Sequence, residues 1–405
     1  MEVVVQQRLW AGIDAGKTAH HCMVVDADGQ RVLSRRIDND ESALLELIRA
    51  VTSLAEGGHL TWAIDLNAGG AALLITLLLA HDQELLYIPG RTVHHAAGSY
   101  RGDGKTDAKD ATIIADQARM RRDLHPLRRG DELVAELRIL TSRRSDLSAD
   151  RTRTINRLRE RLGEYFPALE RAFDYSNNQA ALILLTGYQT PAALRRIGTA
   201  RLETWLQNRH ARKASSVAAS AVAAAHTQYT VVPGEQLAAD LVARLTQEVI
   251  DLDAALKEID VMIEDRFRRH RYAEIIVSLP GFGPRLGAEF LAALGGDIAL
   301  YDSADRLAGV AGLAPVPRDS GRVSGNLHRP RRFNRRLLRA SYLAAQLSIR
   351  HDPASKHYYD RKRAEGKRHT QAVLALARRR NNVLWAMLRD RTHYQQPTGD
   401  PATAA

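Results

Sequence analysis

Among its 405 residues the sequence has a single cysteine, Cys22. That excludes an intramolecular disulfide and a cysteine-based zinc site, and a reducing compartment, the cytoplasm, is the expected location. Aromatic residues make up only 5% of the chain. Trp10, Trp62, Trp205 and Trp385 stand far apart in strand-like or helix-like patterns, so core packing is their expected role rather than base stacking. Long hydrophobic runs are missing too. The longest, Ala71 to Ala80 with Thr76 its one polar residue, is about half the ~20 residues that cross a bilayer. Met1 to Arg8 lacks the basic start and apolar core of a signal peptide, so neither secretion nor membrane insertion is expected. The 15 histidines include the pairs at 20–21 and 94–95, but none has zinc-ligand spacing with partners. Acid is the scarcer charge: 58 Lys and Arg against 47 Asp and Glu give +11 at pH 7. The arginines are clustered, which points to a polyanion, and nucleic acid is the first to consider.

What is present is a chain long enough for two to four domains. The first 130 residues alternate strand and helix patterns. Leu9 to Asp14 is short, apolar and ends in an acid; His20 to Val25 and Gln30 to Arg36 flank a turn at Asp26 to Gly29, making a three-strand meander. Ser42 to Leu54 has helical apolar spacing behind the cap candidates Asp40 and Ser42. Leu60 to Asp65 is a fourth strand ending in an acid, followed by helix Ala71 to Ala80, strand Glu84 to Ile88 and helix Thr106 to Arg119. This βββαβαβα order is the ribonuclease H-like arrangement. In it strands one and four lie parallel and deliver their C-terminal ends to one crevice.

The middle of the chain is helical. Leu133, Leu137, Leu140, Leu147, Ile155, Leu158, Leu162 and Leu169 keep a 3–4 spacing, as do Leu241, Leu245, Val249, Leu252, Leu256, Ile259 and Ile263. These two stretches can pair as an antiparallel arm or join another subunit as a coiled coil. Ala180 to Ala225, rich in Ala and Arg, reads as short helices. From Leu279 to Gly296 an apolar helix is broken by PGFGP, a helix-hairpin-helix pattern in which turn amides can meet a phosphate. From Pro317 to Ala340 eight Arg face one Asp, Arg361 to Arg380 is a second basic stretch, and Gln395 to Ala405 is a polar, disordered-looking tail.

Asp14 and Asp65 each end a strand, while Asp107 and Asp110 lie three apart near a helix start and share one face. Alone, each is a strand-end or helix-dipole residue. Together, in this strand order, they form an all-oxygen set suited to Mg²⁺ or Mn²⁺ and to phosphoryl transfer. Lys105 and Lys109 flank the acids and suit a site that handles nucleic acid phosphate. GIDAGKT (Gly12 to Thr18) also fits the phosphate hairpin of ATP-using relatives of this fold, but those need a second glycine-rich hairpin and an adenosine site further along. Ser320 precedes a glycine in a turn, and spacing alone favours plain turn chemistry. Its neighbours Arg318, Arg322, Arg329, Arg331 and Arg332 can hold a scissile phosphate, although backbone contact or a solvated face is the expected role for most of them.

GIDAGK with Asp14, AIDLNAGG with Asp65, GKTDAKDA with Asp107 and Asp110, the SLPGFGP hairpin, AGLAPVPRDSG with Ser320 and the closing YYDRKRAEGKRHTQAVLALARRR occur in one order along nearly the whole chain. In this the chain resembles transposases of the insertion-sequence one-ten family, the DEDD recombinases guided by a bridge RNA. The resemblance implies a RuvC-like catalytic domain at 1–130, a helical coiled-coil linker at 131–275, a helical C-terminal transposase domain with a serine nucleophile at 276–394, and a disordered tail at 395–405. It also implies a homo-oligomer, dimer or tetramer, holding donor DNA, target DNA and a structured noncoding RNA, with the serine completed by the acidic site of another subunit. The catalytic residues implied are Asp14, Asp65, Asp107, Asp110 and Ser320. Nucleic acid contacts are expected from Lys105, Lys109, Arg318, Arg322, Arg329, Arg331, Arg332, Arg335 and Arg336. The family's second acid is commonly Glu; here it is Asp65, one methylene shorter.

Two other readings compete with an RNA-guided, metal-dependent DNA recombinase. A RuvC-like nuclease or junction resolvase would use activated water and leave Ser320 a turn residue, and a basic RNA-binding structural protein would carry a dead acidic site.

Overall fold

The computed structural model describes residues 7–66, 69–100, 104, 106–127, 132–322, 324–328 and 330–396. Lys105, Arg329 and residues 397–405 of the polar tail lie outside the described residues. The chain divides into two compact units, Met1–Gly130 and Asp131–Ala405.

In the first unit β1 (Arg8–Ala15), β2 (Ala19–Val25) and β3 (Arg31–Asp38) form the meander, and α1 (Glu41–Leu54) leads to β4 (His59–Ile64). Asp40 caps α1, its carboxylate accepting the Ala43 amide at 3.0 Å, as its place before the periodic run predicts. Then come α2 (Ala72–Ala80), β5 (Glu84–Tyr87), α3 (Gly90–Ala97), α4 (Asp107–Met120) and the two-residue β6 (His125–Pro126). The sheet order is β3-β2-β1-β4-β5-β6. β1 and β4 are parallel neighbours with Ile13 opposite Ile64. Strand alternation then sorts the faces. Leu9, Ala11, Ile13, Trp62 and Ile64 join the core under α1 and α2, while Ala63 packs with Ile113, Ile114 and Ala118 of α4.

Gly12 sits on the α4 side. A Cβ there would lie 2.3 Å from the Ala115 nitrogen and 2.4 Å from the Ala111 oxygen. The helix therefore rests directly on the β1 backbone, which only glycine permits.

The second unit is mostly helical: α5 (Glu132–Tyr165), α6 (Pro167–Ala172), α7 (Gln179–Gly187), α8 (Pro191–Gln207), α9 (Ala214–His226), α10 (Glu235–Arg268), α11 (Ala273–Ser278), α12 (Pro284–Leu294) and α13 (Ala304–Val310). A hairpin of β7 (Val316–Pro317) and β8 (Leu327–His328) precedes α14 (Arg335–His351), α15 (Pro353–Ala364) and α16 (His369–Asp390).

The two leucine-patterned helices pair with each other within the chain. Arg144 meets Asp260, Arg151 meets Asp253, and Thr154 bonds Glu248 at 3.0 Å, so one helix ascends as the other descends and the pair is antiparallel. Leu140 and Leu252, read as seam positions, are half-buried in this chain's own core.

No break falls at residue 275. Leu137, Leu147, Ile259, Ile263 and Phe267 of the long pair share one core with α11 to α16. The far end of the pair packs instead with α6 to α9 through Leu158, Leu162, Leu185 and Val249.

Candidate functional site

The acidic site is built by three local choices of the first unit. β1 and β4 run parallel and end together, so Asp14 and Asp65 emerge at the same edge of the sheet. Asp14 is two residues beyond Gly12, and Asp65 two beyond Ala63, so alternation turns both toward α4. Thr106 starts that helix, its hydroxyl accepting the Lys109 amide at 3.2 Å, which places Asp107 and Asp110 in the first turn.

Electrostatics and strand register together link the four positions. The Asp65 carboxylate accepts the Ala15 amide at 3.2 Å. Burial raises its pKa above the ordinary carboxylate range and the charge of Asp110 adds to the rise, against the lowering effect of the Ala15 and Asp65 amides. His21 lies opposite Asp14 in the β1–β2 register. Its pKa is lowered chiefly by burial, with Asp107 pulling it upward and Arg36 downward. Burial and the charge of Asp65 together raise the Tyr87 hydroxyl.

The carboxylates share the crevice without closing on one point: among the described residues no three His, Cys, Asp or Glu side chains stand at metal-binding spacing. The donor set nonetheless fits a hard divalent cation. All four donors are carboxylate oxygens, and the repulsion felt by Asp65 from Asp110 is of the kind such a cation removes.

Sequence reasoning missed α3. Its first residue, Gly90, begins beside Asp65, with an added Cβ falling 3.9 Å from Asp65 Oδ2. The pair Pro89-Gly90 reads as a loop, yet proline before an initial turn is also a helix-start signal. His20, one of the histidines set aside, is buried against Asn39, and Asn39 Nδ2 in turn donates to the Lys17 and Gly70 carbonyls. This clasp ties the β1–β2 turn to the loop after β4. Cys22 is packed within the sheet's core, and burial pushes its thiol up to about 12.

In the second unit Ser320 lies on the exposed β7–β8 hairpin. Asn326 closes that hairpin: its amide donates to the Asp319 carboxylate at 2.9 Å and its Nδ2 to the Arg318 carbonyl at 3.3 Å. Asp319 is thus held by backbone rather than by Arg318, the partner its sequence neighbourhood suggests. Ser324 is exposed on the same hairpin.

Arg318, Arg322, Arg331, Arg332, Arg335 and Arg336 are all exposed. Asn334 fixes the last two by capping α14, its Oδ1 accepting the Arg336 and Leu337 amides.

The PGFGP turn joins α11 to α12 as the pattern predicts. Gly281, at φ +89°, abuts α14, where a Cβ would fall 2.1 Å from the Ala344 oxygen, so that part of the turn is committed to packing. The second basic stretch divides. Arg380 points inward, buried with Asp352 and donating to the Ser355 hydroxyl and the Pro280 carbonyl. Arg361, Lys362 and Arg379 surround the Tyr358 ring at 5.1, 5.5 and 5.2 Å.

Residues 11–167 match the family model of the IS110 DEDD transposases, described as a transposase, and residues 273–360 match that of the transposase IS116/IS110/IS902 family. The chain is similar to the uncharacterized 42 kDa protein of insertion element IS900 from Mycobacterium paratuberculosis, 70% identical over 392 residues that cover 97% of this chain and 98% of the relative. It is 54% identical to the 44.8 kDa protein of insertion element IS116 from Streptomyces clavuligerus, over 95% of both chains. With the 43.6 kDa protein of insertion element IS110 from Streptomyces coelicolor it shares 38% identity over 96% of this chain and 95% of the relative. Among the described residues no helix is long and apolar enough to cross a membrane.

Proposed function

Because the chain belongs to the transposase family of the insertion elements IS116, IS110 and IS902, we propose that it cuts and rejoins donor and target DNA with a divalent-metal acidic site and a serine nucleophile. The observation that carries this reading is the convergence of Asp14 and Asp65, from adjacent parallel strands, on the helix that bears Asp107 and Asp110. The strand order supports a RuvC-like domain for the first unit. Asp14, Asp65, Asp107 and Asp110 would hold Mg²⁺ or Mn²⁺, which supplies charge stabilisation to a phosphate under attack.

Around that group the protein's own residues orient and hold. The Ala15 amide fixes one Asp65 oxygen, and α4 carries the other two acids as a rigid unit. Ser320 attacks phosphorus: the Oγ–P bond forms, one P–O ester bond breaks, the seryl proton passes to a base and the departing sugar oxygen takes up a proton. Exposed Arg318, Arg322, Arg331 and Arg332 bind the phosphate and offset its charge. Asp319 Oδ1 is engaged by the Asn326 amide, and we assign the base to the acidic site of a partner subunit in a homo-oligomer. A structured noncoding RNA selects donor and target by base pairing, a reading that rests on the family resemblance and the chain's positive charge.

One observation favours the rival water-based nuclease. The Ser320 hydroxyl stands exposed on a small hairpin with no described side chain hydrogen-bonded to it. Cleavage of DNA carrying the element ends, with trapping of protein–DNA adducts, separates the two. The serine reading expects an adduct from the unaltered protein, none from Ser320→Ala, and partial recovery of activity when Ser320→Ala and Asp14→Asn proteins are mixed. An adduct that survives in Ser320→Ala moves the nucleophile to Ser324. Products with free ends and no adduct establish the water mechanism. Asp14→Asn or Asp107→Asn should abolish cleavage and spare RNA binding; full cleavage by both, or in excess chelator, sinks the metal assignment.

A further inference from the structure

The arginine run visible in the sequence reaches the first turn of α14, but the structure continues it into a groove that no linear spacing reveals. The groove, of about 720 Å³, lies within the second unit between the middle of α5, the start of α12 and the length of α14. Six arginines line it: Arg144, Arg285, Arg335, Arg336, Arg339 and Arg350. Across from α14, helix α5 contributes Thr141, Ser145, Ser148 and Thr152, spaced so that all four share one helical face. At 1.5 Å per residue this hydroxyl stripe runs ~16 Å.

Some of these arginines are structural. Arg144 closes on Asp260 and is only 24% exposed, so it fastens α5 to α10. Arg339 pairs with Glu289 of α12, and Arg285 reaches the same Asp260 at 3.2 Å while remaining 62% exposed. Two carboxylates thus answer six guanidinium groups, an excess of four positive charges. A solvated charged face would pair its charges along the helix, yet α14 carries no acidic residue from Arg335 to His351. Arg336 instead donates to the Ser142 hydroxyl at 2.9 Å. Thr141 and Thr152 spend their protons on their own helix carbonyls; Ser145 and Ser148 have no such bond among the described residues. A concave surface with uncompensated charge on one wall and hydroxyl donors on the other concentrates field on an anion.

We propose that this groove is a track for the phosphodiester backbone of a nucleic acid. Arg285, Arg335, Arg336 and Arg350 meet successive phosphates, and Ser145 and Ser148 donate to phosphate oxygens from the α5 wall. The stripe's length equals ~5 base-pair steps along a duplex axis at 3.4 Å each. The transposase reading enters only in choosing nucleic acid among polyanions.

The test is fluorescence anisotropy on the full-length protein across a salt series, with three probes: 20-nucleotide oligo(rU), 20-nucleotide oligo(dT) and a 20-base-pair DNA duplex. Arg285→Gln with Arg350→Gln removes two exposed charges and leaves Asp260 paired to Arg144. With at least one probe, the slope of log affinity against log salt should flatten by ~1.4–1.8, two contacts at 0.7–0.9 each. Ser145→Ala with Ser148→Ala should weaken binding severalfold with the slope unchanged, since hydroxyls release no counterions. Arg201→Gln with Arg212→Gln removes the same charge outside the groove and serves as the reference.

A slope change with oligo(rU) alone assigns the track to RNA, a change with the duplex alone assigns it to DNA, and a change with all three supports a shared backbone track. A change no larger than the reference pair's on every probe overturns the proposal. Asp14→Asn protein run alongside keeps the two readings apart, because persistent cleavage there refutes the acidic site while its salt slope still reports on the groove.

Discussion

Replacing Gly12 by alanine tests whether the acidic site depends on direct contact between helix and strand. The added Cβ would stand 2.3 Å from the Ala115 nitrogen and 2.4 Å from the Ala111 oxygen, both backbone atoms. No rotamer change relieves such a contact, and carbon needs ~3.5 Å from its neighbours, so α4 must retreat by about 1 Å. Overpacking of this kind costs ~1–3 kcal/mol, or roughly 3–15 °C in the melting temperature of a unit this size. Asp107 and Asp110 ride on the first turn of α4, whereas Asp14 and Asp65 stay with the strands. A 1 Å misplacement of reacting groups costs ~10²-fold in rate, so metal-dependent cleavage should fall about a hundredfold at temperatures where the variant is still folded. Tryptophan-monitored melting and cleavage of DNA bearing the element ends measure the two effects separately. Unaltered melting, or a rate that falls only with the folded fraction, would refute the positioning argument.

Cys22, the sole thiol, is buried with its pKa pushed up to about 12, so the native protein should resist a thiol reagent at pH 8 and react fully in denaturant; rapid native labelling would mean β2 is not packed as described. Burial raises the Asp65 carboxyl above its unfolded value, so this group favours the fold below the unfolded pKa and loses that contribution as pH rises through the folded one. Metal-free protein should therefore gain from Asp65→Asn at neutral pH and lose part of its stabilisation by mild acid, read from melting temperature against pH; identical profiles for the two proteins would contradict this. Asp352→Ala leaves Arg380 buried and uncompensated and should cost ~3–5 kcal/mol in denaturant unfolding, while a cost below 1 kcal/mol would place Arg380 in water. Charged replacements at Leu140 and Leu252 should unfold the α5–α10 pair, because both side chains pack in this chain's own core; clean dissociation of subunits with unchanged helicity would show the seam is intermolecular instead.

Much of the first unit was legible because its signals are local. The meander, the α1 cap, the acids at two strand ends and the acidic first turn of α4 each follow from alternation, capping or short-range spacing. α3 escaped because Pro89-Gly90 resembles a loop and its eight residues, with Val93 the one buried among them, span too few turns to repeat an apolar pattern. The leucine spacing of α5 and α10 was equally plain, but periodicity specifies an apolar face and not its partner. The choice of an antiparallel pair within the chain is written in Arg144–Asp260 and Arg151–Asp253, contacts between residues more than a hundred positions apart that no local pattern encodes.

The sequence by itself determined the family and the order of most elements of the first unit, and it singled out four candidate acids, since these depend on residue type and short spacing. Only the tertiary structure decided which charges are spent and which remain. Arg380 looks like its exposed neighbours yet is buried on Asp352, and Asp319 looks like a partner for Arg318 yet holds a backbone amide. Arg285 and Arg350, unremarked in the sequence, meet Arg335 and Arg336 in one groove. The reason is physical: burial and long-range pairing set the energy of a charge, and both are properties of the packed chain, whereas helix and strand patterns are set within a few residues.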